Sequence, residues 1–61
     1  MPAVLFRLAS AIERDSSRVE SWYTDDPIDA LGCRTAQAVV AGGQLVLVLD
    51  FLKAVQQRDG L

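Results

Sequence analysis

The sequence predicts an all-α domain, built as a small bundle of four to five short helices. Apolar residues recur at helical spacing near its start, residues that cap helices precede several apolar segments, and glycines separate those segments. The 61 residues, 51% of them hydrophobic, form a single domain spanning 1–61. A chain of this size buries only about 60% of its unfolded-state surface, so packing and association have to stabilise it.

The first predicted element is an amphipathic helix over residues 3–14. A stripe of apolar residues at helical spacing lies on one side, with Arg7, Ser10, Glu13 and Arg14 elsewhere; it consists of Val4, Leu5, Leu8, Ala11 and Ile12. We interpret this stripe as part of the core.

The second predicted helix begins at a capping box. The Ser17 hydroxyl is placed to accept from the Glu20 backbone N–H, while the Glu20 side chain reaches back to the Ser17 N–H. This helix runs to about Tyr23. Because Trp22 follows Val19 by three residues, both are expected to face the core, with Trp22 buried near Leu31 and Phe51.

Two short helices are predicted next. Asp26 is a good N-cap and Pro27 suits the first helical position, so one helix runs from Pro27 to Leu31. Gly32 permits a left-handed stop. Thr35 then caps a helix that reaches about Ala41 and ends at the Gly42-Gly43 pair.

The last predicted helix runs from Gln44 to Arg58 and ends at Gly60. A β-hairpin over residues 38–49, turning at the glycine pair, is the alternative, because residues 45–49 are apolar and rich in β-formers. Helix formers at 50–58 favour the helix, and an isolated two-stranded hairpin is marginally stable. The pattern alone leaves this choice open.

Charge and composition exclude several classes of function. The net charge is −2 and the six basic residues are scattered, which predicts no direct binding to nucleic acid. Apolar runs fall short of the roughly 18 residues that a membrane span requires. Cys33 is the single cysteine and histidine is absent, so neither an internal disulfide nor a Cys/His zinc site is expected. The free thiol suggests a cytoplasmic protein.

The candidate catalytic groups are weak. Cys33 lies beside Arg34 but has no histidine to act as its base, and we interpret it as a small residue at a turn. Asp25 and Asp26 are adjacent in a turn, where carboxylates rarely converge on one substrate. Gly42-Gly43 lacks the Lys-Ser/Thr of a phosphate loop. We expect no enzymatic activity and no cofactor.

One ordered set of residues carries a family resemblance. It consists of Trp22, Pro27, Leu31, Gly32, Arg34, Thr35, Val39 and Gly43, followed by Val48, Phe51 and Leu52. Over about residues 5–58 this order resembles the toxin-binding, C-terminal domain of bacterial Xre/MbcA/ParS-type antitoxins. The chain departs from that family at Cys33, where a second glycine is usual, and at Ala36, where a proline is usual.

The resemblance implies an antitoxin-like module that binds and neutralises a cognate toxin of a type II toxin–antitoxin system. In the family the toxin is commonly a RES-type protein acting on NAD, and the C-terminal end of the antitoxin blocks its active site. The corresponding tail comprises Gln56, Gln57, Arg58, Asp59, Gly60 and Leu61. Arg34 would either support the preceding turn or contact the toxin. The family commonly adds an N-terminal helix-turn-helix, for which these 61 residues have no room.

Two alternatives to toxin binding remain open. Residues 45–49 are apolar on every side of the predicted helix, so a homo-oligomer formed through residues 45–52 is expected, and the chain would then be a homodimerisation module. A small DNA-associated regulator with a helix-turn-helix near residues 26–42 is the other.

Overall fold

Four α-helices and one short 3-10 helix account for most of the chain. The structure, a computed structural model, describes the backbone of residues 1–59 and the side chains of residues 1–58. The α-helices are α1 (Ala3–Ile12), α2 (Ser16–Asp25), α3 (Ala36–Ala41) and α4 (Leu45–Asp59). Between α2 and α3 lie the two-residue strands β1 (Pro27–Ile28) and β2 (Arg34–Thr35), which flank the 3-10 helix Asp29–Leu31. The prediction of a small all-α bundle is confirmed.

Helix α1 ends two residues earlier than predicted, because the backbone turns extended at Glu13. Its buried positions are Leu5 and Ala9, one helical turn apart, with Leu8 and Ile12 partly buried beside them. Val4 and Ala11, which we had placed on the core stripe, are exposed. The apolar stripe is therefore narrower than the sequence pattern indicated.

Helix α2 begins earlier than predicted and lacks the predicted capping box. Its N-cap is Asp15, whose carboxylate accepts from the Ser17 backbone N–H at 3.0 Å and from the Ser17 hydroxyl at 2.7 Å. An aspartate one position before the helix satisfies the free N–H groups more directly than a serine inside it. The helix continues to Asp25, two residues past Tyr23.

The segment after α2 was predicted wrongly at its start. Pro27 and Ile28 are extended, not helical, and pair antiparallel with Thr35 and Arg34. This pairing satisfies backbone groups while the Ile28 side chain enters the core at 5% exposure. The helical part is limited to the 3-10 turn, which ends at Gly32 in the predicted left-handed conformation, with φ of 78°.

Helices α3 and α4 agree with the sequence prediction. The Thr35 hydroxyl accepts from the Ala38 N–H at 3.1 Å and so caps α3. Gly43 provides a left-handed residue, with φ of 79°, before α4 begins. Residues 38–49 thus hold the end of α3, a turn and the start of α4, and the hairpin alternative is wrong. The predicted terminator Gly60 lies outside the described residues.

The core lies where all four helices and Ile28 meet. Helix α1 packs against α4, and α3 packs against both α2 and α4. The buried side chains are Leu5, Ala9, Val19, Tyr23, Ile28, Ala36, Val39, Val48 and Leu52. Trp22 was expected among them but is only half-buried, at the edge of this cluster. Val19 and Tyr23, four residues apart on α2, occupy the interior in its place.

Candidate functional site

An apolar groove lies between the C-terminal half of α1, helix α2 and the C-terminal half of α4. We call it the α1–α2–α4 groove. It encloses about 500 Å³, within the usual range for binding clefts, and is open along one side. Its apolar lining is provided by Ala9, Ile12, Val19, Trp22, Phe51, Leu52 and Val55.

The groove exists because α2 and α4 do not pack closely on each other. Helix α2 packs mainly on α3, whereas α4 packs mainly on α1, so α2 and α4 have little direct contact. Apolar side chains that line the space between them are therefore only partly covered, Trp22, Phe51 and Val55 included. Half-buried apolar side chains in a concave surface are typical of sites where another molecule packs.

The edge of the groove carries charged side chains from α1 and α2. Arg18 lies 4.0 Å from Glu13 and 3.9 Å from Asp15, with its side chain three-quarters exposed. Hydrogen bonds from the Ser17 hydroxyl and backbone hold the pKa of the Asp15 carboxyl below its ordinary value. Asp26 also lines the groove. Within residues 1–58 its carboxylate has no ion pair and no hydrogen bond from a side chain.

A second depression of about 570 Å³ adjoins the groove. The two share Trp22, Asp26 and Phe51, and the second extends along residues 27–30. We call the two adjoining depressions together the channel; Trp22, Phe51 and Asp26 line both of its parts. Asp29 lines the far end, so the additional charge along the channel is also negative.

The predicted tail lies directly beyond the groove. Val55 is the last residue of α4 that lines it, and Gln56, Gln57 and Arg58 follow on the last helical turn with exposed side chains. The positive charge of Arg58 at a helix C-terminus is favourable to the helix dipole. The side chain of Asp59, and the whole of Gly60 and Leu61, lie outside the described residues.

Arg34 supports the turn that precedes it. Its Nε donates to the Leu31 carbonyl at 2.9 Å, and its Nη1 donates to the Gln44 side-chain oxygen at 3.3 Å. Both acceptors belong to this chain, which agrees with the structural interpretation of Arg34. Gln44 and Gln56 are 12 residues apart, about 18 Å along a helix, so Arg34 and the tail are not in contact.

Two consecutive left-handed residues form the turn that contains Gly32. Cys33 follows it with φ of 59° and is the one non-glycine residue with positive φ in the described part of the chain. Its exposed thiol donates to the Asp29 carboxylate at 3.6 Å. A left-handed backbone favours glycine, which gives a physical reason for the second glycine usual in the antitoxin family.

A separate apolar surface lies at the start of α4. Val46 and Leu47 are 65% and 39% exposed, whereas Val48 is fully buried. Leu45 and Leu49 are half-buried, so only part of the predicted all-round apolar character remains uncovered. This surface lies at the opposite end of α4 from the groove.

The groove is not evident from the sequence pattern. We had assigned Asp26 as the N-cap of a helix, whereas it follows the last residue of α2 as its C-cap. Ile12 was interpreted as part of the core, and Val55 was given no role. The available signal was the presence of apolar residues in the C-terminal halves of α1 and α4, but only the helix positions show which of these stay uncovered.

Comparison with models of protein families, with curated proteins and with solved structures finds no match to this chain. In the part of the chain that the structure covers, no three Cys, Asp or Glu side chains are grouped to hold a metal ion. None of the helices described above has the length and apolarity that crossing a bilayer requires.

Proposed function

We propose that this protein is an antitoxin-like interaction module that binds and neutralises a cognate toxin of the RES type. The observation that carries the proposal is the position of the exposed tail, Gln56 to Arg58, immediately beyond an uncovered apolar groove. The groove offers area for a stable complex, and the tail offers polar groups that reach past it.

The chemistry of the tail suits obstruction of a nucleotide-binding cleft. Gln56 and Gln57 each offer a carbonyl acceptor and an amide donor, and Arg58 offers a planar cation that pairs with carboxylates. All three side chains are exposed and no core residue follows Val55 within the described helix. The tail can therefore enter a toxin without disturbing the bundle.

The motif residues also support the proposal. Gly32, Arg34 and Thr35, which belong to the ordered set that resembles the antitoxin family, form a turn and a helix cap in this chain. By contrast, residues 26–42 hold one α-helix and a 3-10 turn, while a helix-turn-helix needs two α-helices. The alternative of a DNA-associated regulator therefore has less support.

Truncation after Val55 tests the proposal. The gene should be co-expressed with a RES-type toxin encoded beside it, and growth, cellular NAD and co-purification measured. We expect the truncated chain to retain its helicity by circular dichroism and to fail to restore growth and NAD. Full protection by the truncated chain would show that the tail is not the neutralising element.

A matched pair of variants refines the truncation. Replacing Gln56, Gln57 and Arg58 together by alanine should abolish protection, whereas Lys53→Ala, an exposed residue of the same helix outside the groove lining, should not. If neither variant changes toxin binding or growth, the proposal fails at these residues.

Homodimerisation is the second candidate, because Val46 and Leu47 are exposed apolar residues side by side. We propose that they form the contact between two copies of the chain. Val46→Glu should convert a dimer to a folded monomer in sedimentation experiments, while Lys53→Glu should leave the dimer intact. A monomeric wild-type chain at high concentration would contradict this candidate.

A further inference from the structure

The channel over Trp22 and Phe51 has a shape and a charge that select its occupant. Along α2 it extends from Val19 to Asp26, seven residues or about 10 Å, which is two helical turns. An enclosed pocket would surround most of a small ligand, but this channel is open along its length. An apposed helix presents side chains at i, i+3, i+4 and i+7 over the same distance.

The charges along the channel are mainly acidic. At one edge Arg18 lies near the carboxylates of both Glu13 and Asp15, so this edge carries no excess positive charge. The Asp26 carboxylate is exposed and unpaired among the described side chains, and Asp29 lies further along. A cationic side chain placed above apolar residues is the complement to this arrangement.

We propose that the channel receives an apolar helix of a partner protein that carries a lysine or arginine opposite Asp26. Apolar side chains of that helix pack into the α1–α2–α4 groove and against the Trp22 and Phe51 rings. The cation pairs with Asp26 and fixes the register of the helix. This inference rests on the proposed function only in taking the occupant to be part of a protein partner.

The chain contains its own reporter for this interaction. Trp22 is the sole tryptophan and lines both parts of the channel, so its emission shifts to shorter wavelength when a ligand excludes water from the ring. The full-length chain should be titrated with two synthetic peptides of about 14 residues, long enough to form a helix. Both carry leucines at i, i+3, i+4 and i+7, one with flanking lysines and the other with flanking glutamates.

We expect the lysine peptide to shift the Trp22 emission and to bind more weakly as salt is raised. Asp26→Asn should weaken its binding by about two- to fivefold, as for an exposed ion pair. Asp25→Asn is the matched control, because the Asp25 carboxylate accepts from Ser21 and does not line the channel. Val55→Ser should weaken binding, while Ala54→Ser, exposed beside it, should not.

Three outcomes would overturn the inference. Equal binding of both peptides would remove the role of Asp26, and absence of any emission change or binding would remove the channel as a docking site. A concentration-dependent emission shift without peptide would assign the channel to a second copy of the chain. Because these titrations use no toxin, their failure is distinguishable from failure of the truncation experiment above.

Discussion

The turn at residues 26–35 and the α1–α2–α4 groove are stabilised in different ways. The turn depends on specific polar contacts and on backbone conformation, through Arg34, Thr35 and the left-handed pair Gly32 and Cys33. The groove is bounded by apolar side chains that are incompletely covered. The residues that are easiest to recognise in the sequence are therefore used within the chain, and the surface left for a partner comes from less distinctive residues.

The largest expected effect on stability comes from a substitution in the core between the helices. Leu5→Ala should lower the free energy of unfolding by about 3 kcal/mol, because Leu5 is fully buried and its loss leaves a cavity. Leu47→Ala removes the same atoms from a side chain that is 39% exposed, and should lower it by roughly 1 kcal/mol or less. Urea denaturation measures the free energy of unfolding of both variants. Equal decreases would mean that the burial of the side chain does not determine its contribution to stability.

A smaller effect is expected at the turn. Thr35→Ala should lower the free energy of unfolding by about 1 kcal/mol, since the Ala38 N–H loses its cap. Thr24→Ala is the control, because the exposed Thr24 hydroxyl only donates to the Glu20 carbonyl within a helix, a contact of little value. If Thr24→Ala lowered the free energy of unfolding as much as Thr35→Ala, the polar contacts of the turn would have no special role.

Cys33→Gly should stabilise the chain by about 0.5 kcal/mol. A left-handed backbone costs a non-glycine residue about 1–2 kcal/mol, and the greater chain entropy of glycine offsets part of that gain. Gly32→Ala should destabilise it by about 1 kcal/mol, by backbone strain and not by collision, because an added Cβ meets only Arg34 at 3.8 Å. Thermal denaturation of both variants tests this, and a destabilised Cys33→Gly variant would contradict it.

The smallest expected effect on stability concerns Asp15, the N-cap of α2. Because hydrogen bonds from Ser17 hold the pKa of Asp15 below its ordinary value of 3.8, ionised Asp15 stabilises the folded state above that pH. The contribution disappears as pH falls through the folded-state pKa. The free energies of unfolding of the wild type and of Asp15→Asn should therefore become more similar as the pH is lowered from about 5 to about 2. An unchanged difference across that range would refute the assignment.

Local rules predicted most of the fold. The periodicity of α1, the Thr35 cap and the glycine turns at Gly32 and Gly43 depend on neighbouring residues, and each was found. The errors arose where distant residues decide. Pro27 and Ile28 are extended because they pair with Thr35 and Arg34. The Asp26-Pro27 sequence is typical of a helix start and gives no information about that pairing.

The site was less predictable than the fold, for a related reason. Whether Trp22 is buried depends on how closely α2 and α4 pack, which is a property of helix packing and not of either helix alone. The exposure of Gln56, Gln57 and Arg58 agrees with a polar helix end, but their role as a toxin-binding tail stays a prediction.

The packing of α1 against α4 has a consequence for how the chain folds during synthesis. Leu5 on α1 and Val48 on α4 are both fully buried in one core, so the core is incomplete until residues 45–59 have been translated. Nascent chains that contain only α1 to α3 expose Leu5 and Ala9 to water and to chaperones. Because the ribosomal exit tunnel still covers the newest residues, this core forms only after α4 has left the ribosome.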